Sequence, residues 1–198
     1  MKKAKKDSGK NDFDSNTDRM SIEELPSFHI TKQTPIEYVL KLAKDCEKCG
    51  HCCGYGSGYF LDDDIERIRK HMGLPKDEFI KEFLVEAEGF NTKLHKAKLD
   101  KKKGRPYGTC VFYEKEKGCV VHDIKPLHCR VSMGCGEHGQ GLSIWFTLNY
   151  LVNPNDPESV RQWATYLKNH PTIPGGELRQ LVKDEKMLKK ILSYEKLK

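Results

Sequence analysis

The sequence predicts a small α+β fold, rich in helix, in which a cysteine-bearing hairpin and loops gather around one centre. Three observations predict it. Apolar residues recur at helical spacing through several segments. Two short β-favouring runs flank Glu114-Lys-Glu-Lys-Gly118. The eight cysteines fall in two groups, Cys46 to Cys53 and Cys110 to Cys135. Cysteines used as ordinary core residues would be scattered along the chain.

Residues 1–28 are polar and charged and read as a disordered tail. Thr34-Pro35 opens a helix, with proline at a first-turn position. Its apolar set is Ile36, Tyr38, Val39, Leu40, Leu42 and Ala43, and it runs into Cys46. Gly50, Gly54, Gly56 and Gly58 make the next segment a loop that can wrap closely round something. Asp62-Asp63-Asp64 starts a second helix, where acidic side chains suit the positive helix end. Ile65, Ile68 and Met72 form its inward stripe, and Gly73 ends it. Pro75 begins another helix, with Phe79, Ile80, Phe83 and Leu84 apolar.

Residues 88–105 read as an irregular, mobile, basic insertion. Thr109 to Tyr113 and Cys119 to His122 then read as the arms of a hairpin with a five-residue turn. Cys110 and Cys119 lie one in each arm. From Leu142 to Tyr150 apolar and polar residues alternate, which predicts a strand with one apolar face. Pro157 to His170 reads as a helix with Val160, Trp163, Ala164 and Leu167 inward. From Gly176 the apolar positions through Leu192 describe one final amphipathic helix. The predicted organisation is a tail over 1–28, a cysteine-cluster metal-binding domain over 29–153, and C-terminal helices over 154–198 packing on that domain.

The formal net charge is +6, but it is unevenly placed. The basic excess sits at the two ends and in the stretch Lys93 to Arg105, while the segment carrying the first cysteines is acidic. A lysine run can touch nucleic acid. This one has no interleaved aromatics to stack bases, so it reads as a solvated loop and nucleic acid is not expected as a partner. No run approaches the roughly 18 apolar residues of a membrane span. The basic start, Met1 to Lys10, is not followed by the apolar stretch of a secretory signal. The expectation is therefore a cytoplasmic protein, in a reducing compartment where structural disulfides are rare. Eight thiols there point to metal or redox chemistry.

Cys46-Glu-Lys-Cys49-Gly-His-Cys52-Cys53 is the key segment. Two residues between cysteines let a turn aim both sulfurs at one centre, as in zinc and iron–sulfur sites. Cys46, Cys49 and Cys52 repeat that spacing as in the first three ligands of bacterial-type ferredoxins. The ferredoxin Cys-Pro that supplies a fourth ligand is absent, so it must come from elsewhere. Adjacent side chains diverge, so Cys52 and Cys53 are expected to face one centre unequally. Cys110, Cys119, Cys129 and Cys135 are too widely spaced for a self-contained knuckle. They make sense if a hairpin and the next loop close over the first cluster. All eight, Cys135 included, are candidate metal ligands. His51, His122, His128 and His138 each read as surface or hydrogen-bonding residues, since eight thiolates already suffice for two tetrahedral sites. Arg130, beside Cys129, is the candidate cation to offset an anionic cluster. Glu137 and His138 are the side chains an open catalytic zinc would use, but their spacing does not demand it.

At these residues the chain resembles the cysteine-cluster family named for its Cys-x2-Cys-x2-Cys-Cys motif and described as zinc- or iron-chelating. Cys46, Cys49, Cys52 and Cys53 match that motif. The acid-started helix Asp62 to Arg69 matches the family's next element. Cys110-Val-Phe-Tyr, Cys119-Val-Val-His122 and Lys125-Pro126-Leu-His-Cys129-Arg130 match the remaining three in order. Lys125 stands where the family usually has arginine, which keeps the charge without the planar fork. Cys135 lies beyond the family's core pattern. The resemblance covers about residues 40–135 and implies a metal-cluster domain more firmly than any reaction.

Ligand softness and spacing favour an iron–sulfur cluster, of the four-iron type, as cofactor. Its work would be electron transfer or protein modification, with a redox or other protein partner. The alternative is a structural zinc module that binds a partner. No residue pattern assigns a catalytic role.

Overall fold

The structure, a computed structural model, describes residues 29–43, 46–101, 104–132 and 136–195. The tail over 1–28 and Cys135 lie outside the described residues. The fold is α+β, as the sequence predicts.

Helix α1 (Ile36–Leu42) follows Pro35, which caps it from an extended backbone. A short helix α2 (His51–Tyr55) replaces the expected glycine loop, entered from Gly50 at φ 75°. Strand β1 (Tyr59–Phe60) leads into α3 (Asp62–His71), and α4 (Lys76–Phe83) follows Pro75. These two helices stand where the sequence puts them. Gly73, at φ 69° between them, takes the left-handed conformation that favours glycine.

The stretch from 88, expected to be irregular, is mostly sheet. β2 (Leu84–Gly89) and β3 (Thr92–Ala97) form a hairpin, and β1 pairs with the outer edge of β3. The turn is Phe90-Asn91, both at positive φ (52° and 59°). This is a two-residue hairpin turn without the Asn-Gly signature that would announce it. The Phe90 ring is held by edge contacts to Trp163 and Tyr166 at 5.4 and 5.9 Å. Tertiary packing therefore supports a backbone conformation that phenylalanine rarely adopts.

β4 (Leu99–Asp100) pairs with β5 (Thr109–Cys110), and β6 (Tyr113–Glu114) pairs with β7 (Gly118–Cys119). The expected hairpin is thus shorter than its sequence signal. Cys119 lies in it, while Cys110 belongs to the neighbouring ladder. A 3₁₀ turn (His122–Ile124) and the short helix α5 (Leu127–Val131) follow.

The expected strand from Leu142 is helix α6 (Gly139–Tyr150). Leu142, Ile144, Trp145, Phe146 and Leu148 are all buried. A helix enclosed on most sides is apolar almost all round, so its 3.6-residue period fades and alternation can arise by chance. α7 (Pro157–Tyr166) fits the prediction, and Asp156 caps it by accepting from the Glu158 amide. The last stretch is two helices, α8 (Leu178–Leu181) and α9 (Glu185–Leu192). Asp184 breaks them by accepting from the amides of Lys186 and Met187 as a new N-cap.

Two main cores result. One surrounds α6 and includes Val39, Leu127, Val131, Phe146 and Trp163. The other joins α3, α4 and the sheet through Phe60, Ile65, Ile68, Phe79 and Phe112. In it Phe112 stacks on Phe79 and Phe83 at 6.1 and 5.3 Å. Trp145 donates to the Thr34 carbonyl and Trp163 to the Gly176 carbonyl, so both buried indole N–H groups are satisfied.

Candidate metal centre

A cavity of about 340 Å³ lies between α5 and the phenylalanine core, which lends it Phe60, Ala97, Phe112 and Val121. Cys46, Cys52, Cys53, Cys110, Cys119 and Cys129 all contribute to its wall. They come from separate pieces of chain. Cys46 is on the loop before α2, and Cys52 and Cys53 are on α2. Cys110 ends β5, Cys119 ends β7, and Cys129 is central in α5. Cys110 and Cys119 pack against the phenylalanine core. Leu127 and Val131, which flank Cys129, belong to the core around α6. The thiols therefore span the seam between the two cores.

Cys52 and Cys53 do not diverge as expected. Their sulfurs are 4.0 Å apart and both face the cavity wall. They are successive residues of α2, which Gly50 precedes in the left-handed conformation. A side chain at Gly50 would run into the Tyr113 hydroxyl. Cys49 is exposed and is not part of the wall formed by the described residues.

Backbone amides are aimed at the sulfurs. The Phe112 amide donates to Cys110 and the Val121 amide to Cys119, each two residues on. The Gly58 amide donates to Cys129. Such bonds orient thiolates and tune a metal held by them. The close approach at Gly58 depends on its missing side chain. A β-carbon there would lie 2.5 Å from Cys129 Sγ and 2.9 Å from His128 Nδ1.

The thiols crowd one another. Burial pushes Cys110 up to about 11 and Cys129 up to about 12, and neighbouring thiolates add to both shifts. Burial raises Cys119 as well. Cys52 is held down to about 6, chiefly by the hydrogen bond from Cys53, whose own thiol is raised in return. Lys125, in the same wall, helps to favour the anionic forms of Cys52 and Cys119. Arg130, the expected counter-charge, is exposed and is not in that wall. Lys125 takes that position instead.

The histidines divide. His128 lines the cavity and is packed edge-on between Tyr59 and Phe146, at 5.4 and 4.6 Å. Burial lowers it to about 4, so it is neutral near pH 7. His122 also lines the cavity. His138 stands at the N-cap position of α6 without a side-chain capping bond, and His51 lies beside Tyr55 at the surface.

The donor set fits a thiophilic metal. Six soft sulfurs line one cavity, with amide donors already placed and a lysine to balance charge. Two polar atoms of the wall, His122 Nε2 and Ser132 Oγ, are buried without a hydrogen-bond partner. Among the described residues no three His, Cys, Asp or Glu side chains lie close enough together to hold one ion. Nor, among those residues, is any helix long and apolar enough to cross a membrane.

Sequence reasoning missed three contributors. Gly58 was visible as one of four glycines but not as the one beneath Cys129. Lys125 was visible only as a departure from a motif. Asp64 was read as a helix-start acid, and its contact with α5 carries no local sequence signal.

A family model named CxxCxxCC and described as "Putative zinc- or iron-chelating domain" matches residues 45–143. That span includes every cysteine of the cavity wall. No curated protein and no solved structure shows a significant match to the chain.

Proposed function

The chain belongs to this family of zinc- or iron-chelating cysteine-cluster domains, and on that premise we propose that its cavity holds an iron–sulfur cluster of the four-iron type. The ligands are drawn from the six thiols of the wall. The observation that carries this reading is the number of sulfurs on one cavity, six where a single zinc takes four donors at about 2.0–2.3 Å. A cavity of about 340 Å³ edged by six sulfurs suits a larger inorganic body. Soft thiolates select iron–sulfur clusters among other metals, and amide donors to sulfur set their potential.

The role we assign is electron transfer to a protein partner. Cys52 sits on an exposed rim of the site, so electrons need not cross a thick protein layer. Tyr55, which helps to line the cavity, is 60% exposed and touches Tyr107, itself in contact with Arg105. Tyrosine and arginine are enriched where proteins bind one another. Free thiols in this number belong in a reducing compartment, and we place the protein in the cytoplasm.

Anaerobic purification after iron-replete expression tests the proposal, with metal and acid-labile sulfide analysis and visible absorption. Iron and sulfide in near-equal amounts, with a broad charge-transfer band, are expected. Zinc without iron or sulfide would overturn it and leave a structural zinc module.

A further inference from the structure

We propose that His122 is a ligand of the metal centre through Nε2, so that the centre has a mixed sulfur and imidazole donor set. This rests on the reading of the cavity as a metal site but holds for either iron or zinc. The argument starts from the tautomer. His122 Nδ1 lies 3.2 Å from Asp123 Oδ1. A carboxylate only accepts, so Nδ1 carries the proton in the neutral ring. Nε2 is then a bare lone pair. That atom is buried, has no partner among the described residues, and belongs to a side chain lining the cavity. An unsatisfied buried acceptor is costly.

Among the described residues no donor lies within hydrogen-bond distance of Nε2, and thiols that give up their protons to bind a metal have none left to offer it. A metal ion satisfies the lone pair without any proton being lost, since the proton stays on Nδ1. A carboxylate on the far nitrogen is also how metal-bound histidines are oriented. The 3₁₀ turn His122–Ile124 presents the ring three residues after Cys119, so sulfur and nitrogen reach the cavity from one short segment. His128 is the competing histidine. Its ring is wedged between Tyr59 and Phe146, and its Nδ1 faces the Gly58 backbone closely.

The test is X-ray absorption at the K-edge of the bound metal on the full-length protein, after its metal content has been measured. Imidazole outer-shell scattering is expected in the wild type and should vanish in His122→Ala. Asp123→Ala leaves the ring in place and serves as the milder variant. It should weaken metal affinity about tenfold or more while the nitrogen signal persists. A metal-loaded wild type with sulfur-only scattering overturns the inference but not the metal site. A nitrogen signal retained in His122→Ala does the same and transfers the role to another histidine. A wild-type protein that binds neither iron nor zinc overturns both readings.

Discussion

The buried carboxylate of Asp64, in the first turn of α3, accepts a 3.1 Å hydrogen bond from the backbone amide of Leu127, which opens α5. Leu127 stands two residues before Cys129. Asp64 also accepts from the Leu61 amide at 3.0 Å and pairs with Arg67 at 2.6 Å. Arg67 in turn reaches the Lys125 carbonyl at 3.3 Å. One acid–base pair on α3 therefore fixes both ends of the Lys125-Pro126 step that delivers α5 to the cavity.

Asp64→Ala removes the acceptor and leaves the Leu127 amide buried without a partner. Hydrogen bonds to a charged group contribute about 1.5–3 kcal/mol each. We expect a loss of roughly 3 kcal/mol, or a melting temperature lower by about 6–12 °C for a domain of this size. Metal content should fall as well, because α5 loses its anchor. Thermal denaturation with metal analysis checks both. Unchanged values would remove Asp64 from the support of the site.

Gly58→Ala places a methyl group on Cys129 Sγ and His128 Nδ1. Forcing extra volume into a packed site costs typically about 1–3 kcal/mol, and here the displaced atom is a candidate ligand. The expected result is loss of most bound metal. Gly54→Ala is the control, since nothing lies within 4 Å of its β-carbon position. Near the end of α2 it should be neutral or stabilising by at most about 0.5–1 kcal/mol.

The wall thiols should dominate metal retention. Cys129→Ala and Cys119→Ala are expected to abolish it, and Cys49→Ala, at an exposed position outside the described wall, to weaken it less. Parallel metal analysis of anaerobically purified variants ranks them. Equal losses in all three would mean that the loop carrying Cys49 closes on the centre when metal enters.

Removing the metal should loosen the seam between the cores. Cys110 and Cys119 rest on the phenylalanine core, and the helix of Cys129 rests on the core around α6. A metal bound across them joins the two, and its binding energy adds to folding energy. Chelator treatment should lower the melting temperature and raise amide exchange in α5 and β7. Exchange in the middle of α6, where Phe146 and Leu148 are buried, should change little.

The sequence by itself determined the local elements with strong boundary signals and the chemistry of the donor set. Asp62 to Asp64 and Pro75 mark the starts of α3 and α4, and Pro157 marks α7, because caps and prolines act within one turn of chain. The family motif, Cys46 through Cys129, is likewise a matter of residue type and spacing. Tertiary structure decided the rest. α6 reads as a strand because a helix buried on most sides loses its period, and the β2–β3 hairpin is hidden because packing on Trp163 supports its Phe90-Asn91 turn. Which thiols share a wall, which glycine lies under Cys129, and that Asp64 caps α5 depend on segments far apart in sequence. Those relations are set by how two cores close on each other, and no local pattern of residues encodes that closure.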